Sequence, residues 1–323
     1  MASHPLPNGE FDLIARWFTR PAARNPLGVG DDCALLAPAA GMQLAVTSDM
    51  LVEGRHFLSS VDPARLGHKA LAVNLSDLAA CGARPLAFTL AIALPRVDEA
   101  FLDGFAQGLL ALADRHAIEL VGGDTTAGPL TVCITAFGEV PAGGALLRSG
   151  ARTGDTLWVS GTLGDARLAL ETFRGAVTLD AAAFERVRLA MELPQPRVAL
   201  GLALRGVASS AIDLSDGLAG DLAHVLRRSG AGATVQVDAL PRSASLAAQP
   251  VPTQRLCTLS GGDDYELLFT APAQAHDDVL RAARDADVEV TAIGRIESTP
   301  GARFVDARGA PVSGFAGFDH FAP

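Results

Sequence analysis

Lysine is almost missing from this chain of 323 residues, where Lys69 stands alone. Aromatic residues make up only 5%, and the four cysteines, Cys33, Cys81, Cys133 and Cys257, are scattered. Each shortage excludes something. With 36 acidic against 26 basic residues and a formal net charge of −10, the chain has no general attraction for nucleic acid or an anionic membrane. No G-x-x-x-x-G-K-[ST] stretch exists, so there is no P-loop. The H-R-D and D-F-G sets of protein kinases are absent too. No C-x-x-C pair occurs, which removes zinc spacing and leaves buried free thiols in a reducing cytosol as the expectation. A D-x-[DN]-x-[DN]-G calcium loop is also lacking. The longest apolar run, LAFTLAIAL, is about half of the roughly 20 residues a membrane helix needs, and reads as a buried strand. MASHPLPNGEFDLIARWF lacks the basic-then-apolar order of a signal peptide, so none is expected.

What is present is a regular alternation of strand and helix patterns. QLAVTSD reads as a strand entering a polar turn. Asp62 and Pro63 supply the N-cap and first position of a helix reaching about Cys81. An amphipathic helix follows Asp98, and IELVGGD and TVCITAFGEV are strands around a glycine-rich turn. The stretch PAGGALLRSGARTGD then interrupts the pattern. Beyond it come the strand DTLWVSG, the helix GDARLALETF, the strand end AIDLSD before a helix from Gly217, and the strands ATVQVDAL and YELLFT. A helix over Ala273 to Asp287 and a last strand VEVTAIGRI close the series. The chain is long enough for about two domains, and the boundary is expected near 150, giving residues 1–150 and 151–323. Both halves read as α/β, with mixed sheets of the α+β type.

The chemistry sits in aspartates at strand ends and glycine turns: Asp31 and Asp32 in GVGDD, Asp49 in TSD, Asp77 in NLSD, Asp124 in GGDTT, Asp213 and Asp216 in IDLSDG, and Asp263 and Asp264 in GGDDYE. Glycine beside aspartate admits a close ligand. The carboxyl end of a strand is where open α/β sheets build sites. One such aspartate alone is a turn or a helix cap, as Asp165 or Asp216 could be. The recurrence over several apolar segments points to cation binding, because converging carboxylates repel unless a cation lies between them. Mg²⁺ suits oxygen ligands and keeps sites for phosphates. A chain with one lysine that handles polyphosphate must neutralise charge with metal ions and placed arginines, of which Arg148 and Arg152 are candidates. VSGTLGD has only G-x-x-G at its turn and is a weak nucleotide fingerprint.

The motifs GVGDDCALL, TSDMLVEGRHF, KALAVNLSDLAACGARP, LVGGDTT, RSGARTGD, AIDLSDGLAGDL, SGGDDYEL and GFDHF stand in this order. From about Glu10 to Phe321 the chain resembles the thiamine-monophosphate kinase family, within the superfamily of aminoimidazole-ribonucleotide synthetase. That resemblance implies a two-domain fold in which the N-terminal domain binds ATP and Mg²⁺ and pairs into a homodimer with a shared barrel. The C-terminal domain completes the active-site cleft. It implies ATP-dependent phosphorylation of thiamine monophosphate to thiamine diphosphate, the last step in making that cofactor, with several Mg²⁺ ions and ATP as co-substrate. Asp32, Asp49, Asp77, Asp124, Asp213 and Asp216 match its metal-ligand positions, with Thr47 and Ser48 as adjoining ligands. Gly123, Asp124, Arg148 and Ser215 match nucleotide contacts, and His56, Asp263 and Phe318 match thiamine-side contacts. Asp31 and Asp264 are given no role. Two phosphates meet in such a reaction and the acceptor oxygen is already ionised. The expected chemistry is therefore direct in-line transfer through the metal-holding aspartates, with no general base.

Rivals remain at this level. A selenophosphate synthetase would carry a reactive Cys and a lysine near the N-terminus, and neither precedes Gly28. A purine-pathway ligase differs in its acceptor. A non-catalytic nucleotide-binding protein would bind ATP with Mg²⁺ and release no ADP.

Overall fold

Capping and apolar spacing explain where the helices of the N-terminal half begin. Asp62 Oδ1 accepts from Ala64 N at 2.9 Å and Arg65 N at 3.2 Å. Helix α2 then runs over Pro63–Ala80, burying Leu66, Leu71 and Leu75 completely. Asp98 accepts from Phe101 N and starts α3, Glu99–Arg115. The computed structural model describes residues 10–318, so the Asp319, His320 and Phe321 of GFDHF and the first nine residues lie outside the described residues.

The described residues group into two units, one of them reaching to Leu75 and including Pro85–Glu139, the other combining Ser76–Arg84 with the chain from Val140 onward. The last turn of α2, with Asp77, therefore belongs to the second unit. In the first unit, a short α1 (Glu10–Leu13) runs into a π-helical turn (Ile14–Phe18). A four-stranded sheet follows, ordered β1-β4-β2-β3. Its strands are β1 (Met42–Val52), β2 (Arg84–Leu94), β3 (Glu119–Ala127) and β4 (Thr131–Pro141). β2 and β3 run parallel, and their register sets Leu90 beside Gly123 and Ala91 beside Asp124. β1 forms one edge, where Leu44, Val46 and Met50 are exposed on one face because side chains two apart share a face of a strand.

The second unit is built on a six-stranded sheet ordered β10-β7-β9-β5-β8-β6. In chain order its elements are β5 (Thr156–Ser160), α4 (Asp165–Phe173), α5 (Ala181–Glu192), α6 (Val198–Ala203), β6 (Ser210–Asp213) and α7 (Leu218–Ser229). They continue with β7 (Gly232–Gln236), α8 (Ala244–Ala247), α9 (Val251–Ser260), β8 (Leu267–Ala271), α10 (His276–Asp285), β9 (Val290–Glu297) and β10 (Gly301–Val305). Only β7 and β10 pair in parallel, so the sheet is mixed. Its core packs Leu157, Val159, Ile212, Leu222, Leu268 and Ile293.

Several local expectations change: QLAVTSD does not enter a turn at Asp49, because β1 runs on to Val52, and ATVQVDAL is strand only to Gln236 before a 3-10 turn. YELLFT does not become strand from its first residue: Tyr265 holds a left-handed φ of 51°, and β8 starts at Leu267. VEVTAIGRI is not the last strand, because β10 follows the turn at Pro300 and rests Ala302 and Phe304 against the core. The alanine-rich stretch after Leu179 forms a further helix, α5, capped by Asp180 through Ala183 N at 2.7 Å. All four cysteines are free, but only Cys257 is buried as expected, and Cys33 is exposed. Among the described residues no helix is long and apolar enough to cross a membrane.

Candidate active site

In the first unit the GVGDD turn and part of β3 come together, and Gly122, Gly123 and Asp124 stand inside that strand and not in the glycine-rich turn expected. Asp31, Asp32, Gly123 and Asp124 line one cavity of about 750 Å³. Gly123 has φ 152°, and a Cβ there would stand 1.8 Å from the Leu90 carbonyl oxygen. Only glycine fits, because the backbone of β3 is pressed against β2 just before Asp124. The opposite wall is apolar, with Phe11, Ile14 and Phe18 from the N-terminal helical turns and Leu120 and Phe137 from the sheet. Sequence reasoning missed this wall. The spacing of positions 11, 14 and 18 along one helical face was the available signal.

Thr47, Ser48 and Asp49 lie together on β1, not on the cavity lining. Ser48 Oγ and Thr135 Oγ1 share a hydrogen bond at 3.0 Å. Asp49 N donates to Oδ1 of the fully buried Asn74 at 3.2 Å, so NLSD begins with a residue that holds a β1 aspartate by its backbone. His56 Nδ1 accepts from Val52 N at 3.0 Å, which puts the proton of the neutral imidazole on Nε2. The lone lysine, Lys69, is buried and reaches the His56 carbonyl at 3.4 Å. It is not placed as a phosphate ligand.

In the second unit, Asp77, Asp213, Ser215, Asp216 and Arg148 share one neighbourhood. Ser76 Oγ donates to Asp213 Oδ2 at 2.7 Å, with both residues buried. The Cys81 thiol is raised by burial first and then by the charges of Asp77 and Asp213, while Arg148 lowers it. Those three charges therefore all act on the Cys81 thiol. Asp216 is pinned at both ends of its peptide unit. Its N donates to Asp221 Oδ2 at 3.1 Å, and its carbonyl accepts from Phe318 N at 2.9 Å. Burial, followed by the Asp216 charge, pushes the Asp221 carboxyl up to about 7. α7 starts at Gly217 without a side-chain cap, so Asp216 is not used as a helix cap. The same is true of Asp165, which accepts instead from Ser243 Oγ at 2.6 Å.

The chain end reaches this loop because Gly317 touches Gly220 of α7. A Cβ on either would come within 2.7 Å of the other's Cα. Ala316 N adds a bond to Ser260 Oγ at 3.2 Å. Phe318 is left half exposed, at 49%. Asp263 N donates to the Ser215 carbonyl at 3.0 Å, which sets the GGDDYE loop beside IDLSDG. Asp264 acts elsewhere. Its Oδ1 accepts from Gly164 N at 2.8 Å, and burial raises it well above the usual carboxylate range. Its role is to hold the turn before α4.

Every side-chain donor predicted for metal is a carboxylate or a hydroxyl, which suits a hard cation and not zinc or copper. Among the described residues no three His, Cys, Asp or Glu side chains stand close enough to hold a metal ion by themselves. Mg²⁺ takes one or two carboxylates from a protein and fills its remaining positions with water and phosphate oxygens.

Comparison with known proteins agrees with this chemistry. The AIR synthase related protein N-terminal domain matches residues 30–140, and the corresponding C-terminal domain matches 152–307. The thiamine-monophosphate kinase of Salmonella typhimurium is 46% identical over 321 residues, covering 97% of this chain and 98% of the relative. The crystal structure of thiamine-monophosphate kinase from Stenotrophomonas maltophilia K279a aligns with a TM-score of 0.83 at 47% identity, covering 90% of this chain and 94% of that one. AaThiL complexed with AMPPCP and TMP aligns with a TM-score of 0.77 at 29% identity, covering 88% and 89%. With full-length identity of this order on the AIR synthase related fold, the chain belongs to the thiamine-monophosphate kinase family.

Proposed function

We propose that this protein transfers the γ-phosphoryl group of ATP to the phosphate of thiamine monophosphate, giving ADP and thiamine diphosphate. The observation that carries this reading is the 46% identity to a thiamine-monophosphate kinase across 97% of the chain. The binding of AMPPCP and TMP by AaThiL supports the same pair of ligands.

The residues divide the work. The cavity of the first unit suits a nucleotide, its apolar wall receiving the base and Asp31, Asp32 and Asp124 standing at the phosphate side. Arg148, Gly123 and Ser215 serve the same ligand. His56, Asp263 and Phe318 bind the thiamine end, where a carboxylate and a ring face suit a flat cationic heterocycle. Asp32, Asp49, Asp77, Asp124, Asp213 and Asp216, with Thr47 and Ser48, would hold Mg²⁺. When bound, Mg²⁺ supplies the positive charge that offsets repulsion between donor and acceptor phosphates. The acceptor oxygen needs no base. It attacks the γ-phosphorus in line, the bond to the β-phosphate oxygen breaks, and ADP leaves with that electron pair, so no phosphoenzyme forms. What the chain supplies is alignment and a fixed electrostatic field.

The exposed apolar face of β1 supports a homodimer formed through that strand. Four free cysteines fit a cytoplasmic enzyme. The test is ADP release by the purified protein with ATP and Mg²⁺, with and without thiamine monophosphate, and with free thiamine as control. Release that requires thiamine monophosphate, stops with EDTA and yields thiamine diphosphate is the expected outcome. ATP binding without turnover on this acceptor would refute the assignment and turn the search to other phosphorylated acceptors.

A further inference from the structure

We propose that Tyr265 is a positioning residue for the substrate carboxylate Asp263 and thereby sets affinity for the cationic acceptor; this rests on the reading of Asp263 as a thiamine-side contact. Tyr265 is the only tyrosine of the chain. Its ring is buried, at 8% exposure, and its hydroxyl donates to Asp263 Oδ1 at 3.0 Å.

The backbone around the pair is held for this purpose. Asp263 and Tyr265 both take left-handed φ values, 67° and 51°, a conformation that non-glycine residues adopt at a cost and that clusters at functional sites. For an aromatic residue it is a clear outlier, whereas aspartate tolerates it. Surrounding bonds maintain it: Asp263 N reaches the Ser215 carbonyl at 3.0 Å, Tyr265 N reaches the Leu214 carbonyl at 2.8 Å, and Asp264 Oδ1 takes Gly164 N at 2.8 Å. The loop is thus pinned on either side of the pair, and a buried ring carries a fixed donor to a half-buried carboxylate. A hydrogen bond from a phenol restricts rotation of the carboxylate without cancelling its charge. The negative charge then waits in one place for a cationic ligand, which avoids an ordering cost on binding.

The experiment measures KM and kcat for Tyr265→Phe, Asp263→Asn and the double variant, with ADP affinity and melting temperature as controls. Phenylalanine keeps the ring and loses only the donor, and asparagine tolerates the left-handed backbone. Tyr265→Phe is expected to raise KM for thiamine monophosphate about tenfold, equivalent to about 1.4 kcal/mol, with kcat within about twofold and ADP affinity unchanged. In the Asp263→Asn background the same change is expected to add little, because its effect runs through the carboxylate. Calorimetric binding of thiamine monophosphate in the presence of ADP checks the ratio without turnover. A wild-type KM in Tyr265→Phe overturns the proposal, as does an equal loss in both backgrounds. A wild-type KM in Asp263→Asn removes the reading of Asp263 itself, and this proposal with it.

Discussion

Replacing Gly220 with alanine should damage substrate binding while leaving the fold intact, and the structure gives the size of the effect. Gly220 lies inside α7, where alanine is favoured over glycine by about 1 kcal/mol. The new methyl would sit 2.7 Å from Gly317 Cα, against an ordinary carbon separation of about 3.5–4.0 Å, so the two segments must separate by about 1 Å. α7 is anchored in the core by Leu218, Leu222, Val225 and Leu226. The chain end is held there by the bonds from Phe318 N to the Asp216 carbonyl and from Ala316 N to Ser260 Oγ. The chain end therefore yields. Two hydrogen bonds weaken, at about 1 kcal/mol each, and the helix gains about half of that back, so net stability should change by only about 1 kcal/mol. Phe318 moves with its backbone. If its ring faces the cationic heterocycle, this displacement removes about 0.5–2 kcal/mol of attraction, and KM for thiamine monophosphate rises about 2- to 30-fold. Steady-state kinetics with each substrate varied separates the cases. KM for ATP and kcat at saturating acceptor should stay within about twofold. A folded Gly220→Ala protein with wild-type KM for thiamine monophosphate would refute the role given to Phe318 and to the packing of Gly220 on Gly317.

Three further outcomes are expected. Asp77→Asn, made in the last turn of α2, should keep the melting temperature and lose about a hundredfold or more in kcat; activity near wild type would count against a metal role for Asp77. If the proposed homodimer forms through the exposed face of β1, Val46→Glu there should leave secondary structure unchanged by circular dichroism and halve the mass found by light scattering, and an unchanged mass would refute an interface on that face. Asp264→Asn tests the buried carboxylate through pH. Its folded pKa is raised above the ordinary 3.8, so its contribution to stability is fully present below that value and is lost as pH rises through the folded pKa. The stability of Asp264→Asn relative to wild type, read from urea midpoints, should therefore increase as pH rises from the ordinary carboxylate range toward the raised folded pKa, and a constant difference would show that the Asp264 carboxyl is not raised.

The parts of the site legible in the sequence are those where chemistry and local backbone coincide. GVGDD and GGDTT stand out because a glycine sits next to a carboxylate in each, and one cavity is lined by residues of both. NLSD was legible only at Asp77. Asn74 and Ser76 carry as much of the geometry, one by holding the backbone of Asp49 and the other by donating to Asp213. Their partners lie 25 and 137 residues away, and no local pattern encodes such pairings. The same reason hid Asp221, whose place in a helix looks ordinary until its carboxylate is seen under the Asp216 amide. It also hid Gly220 and Gly317, since a glycine in a helix and a glycine near the chain end carry no mark of touching each other. Adjacent acidic pairs were the hardest to divide. Asp263 and Asp264 are chemically identical in sequence, yet one is bonded to Tyr265 and the other to the Gly164 amide. The fold separates them, so one residue of the pair meets the Tyr265 hydroxyl while its neighbour holds the turn before α4. GVGDD poses the same question with a different answer, because Asp31 and Asp32 are both exposed and both line the cavity. Asp31 should therefore tolerate replacement less well than Asp264 in activity, and better in stability.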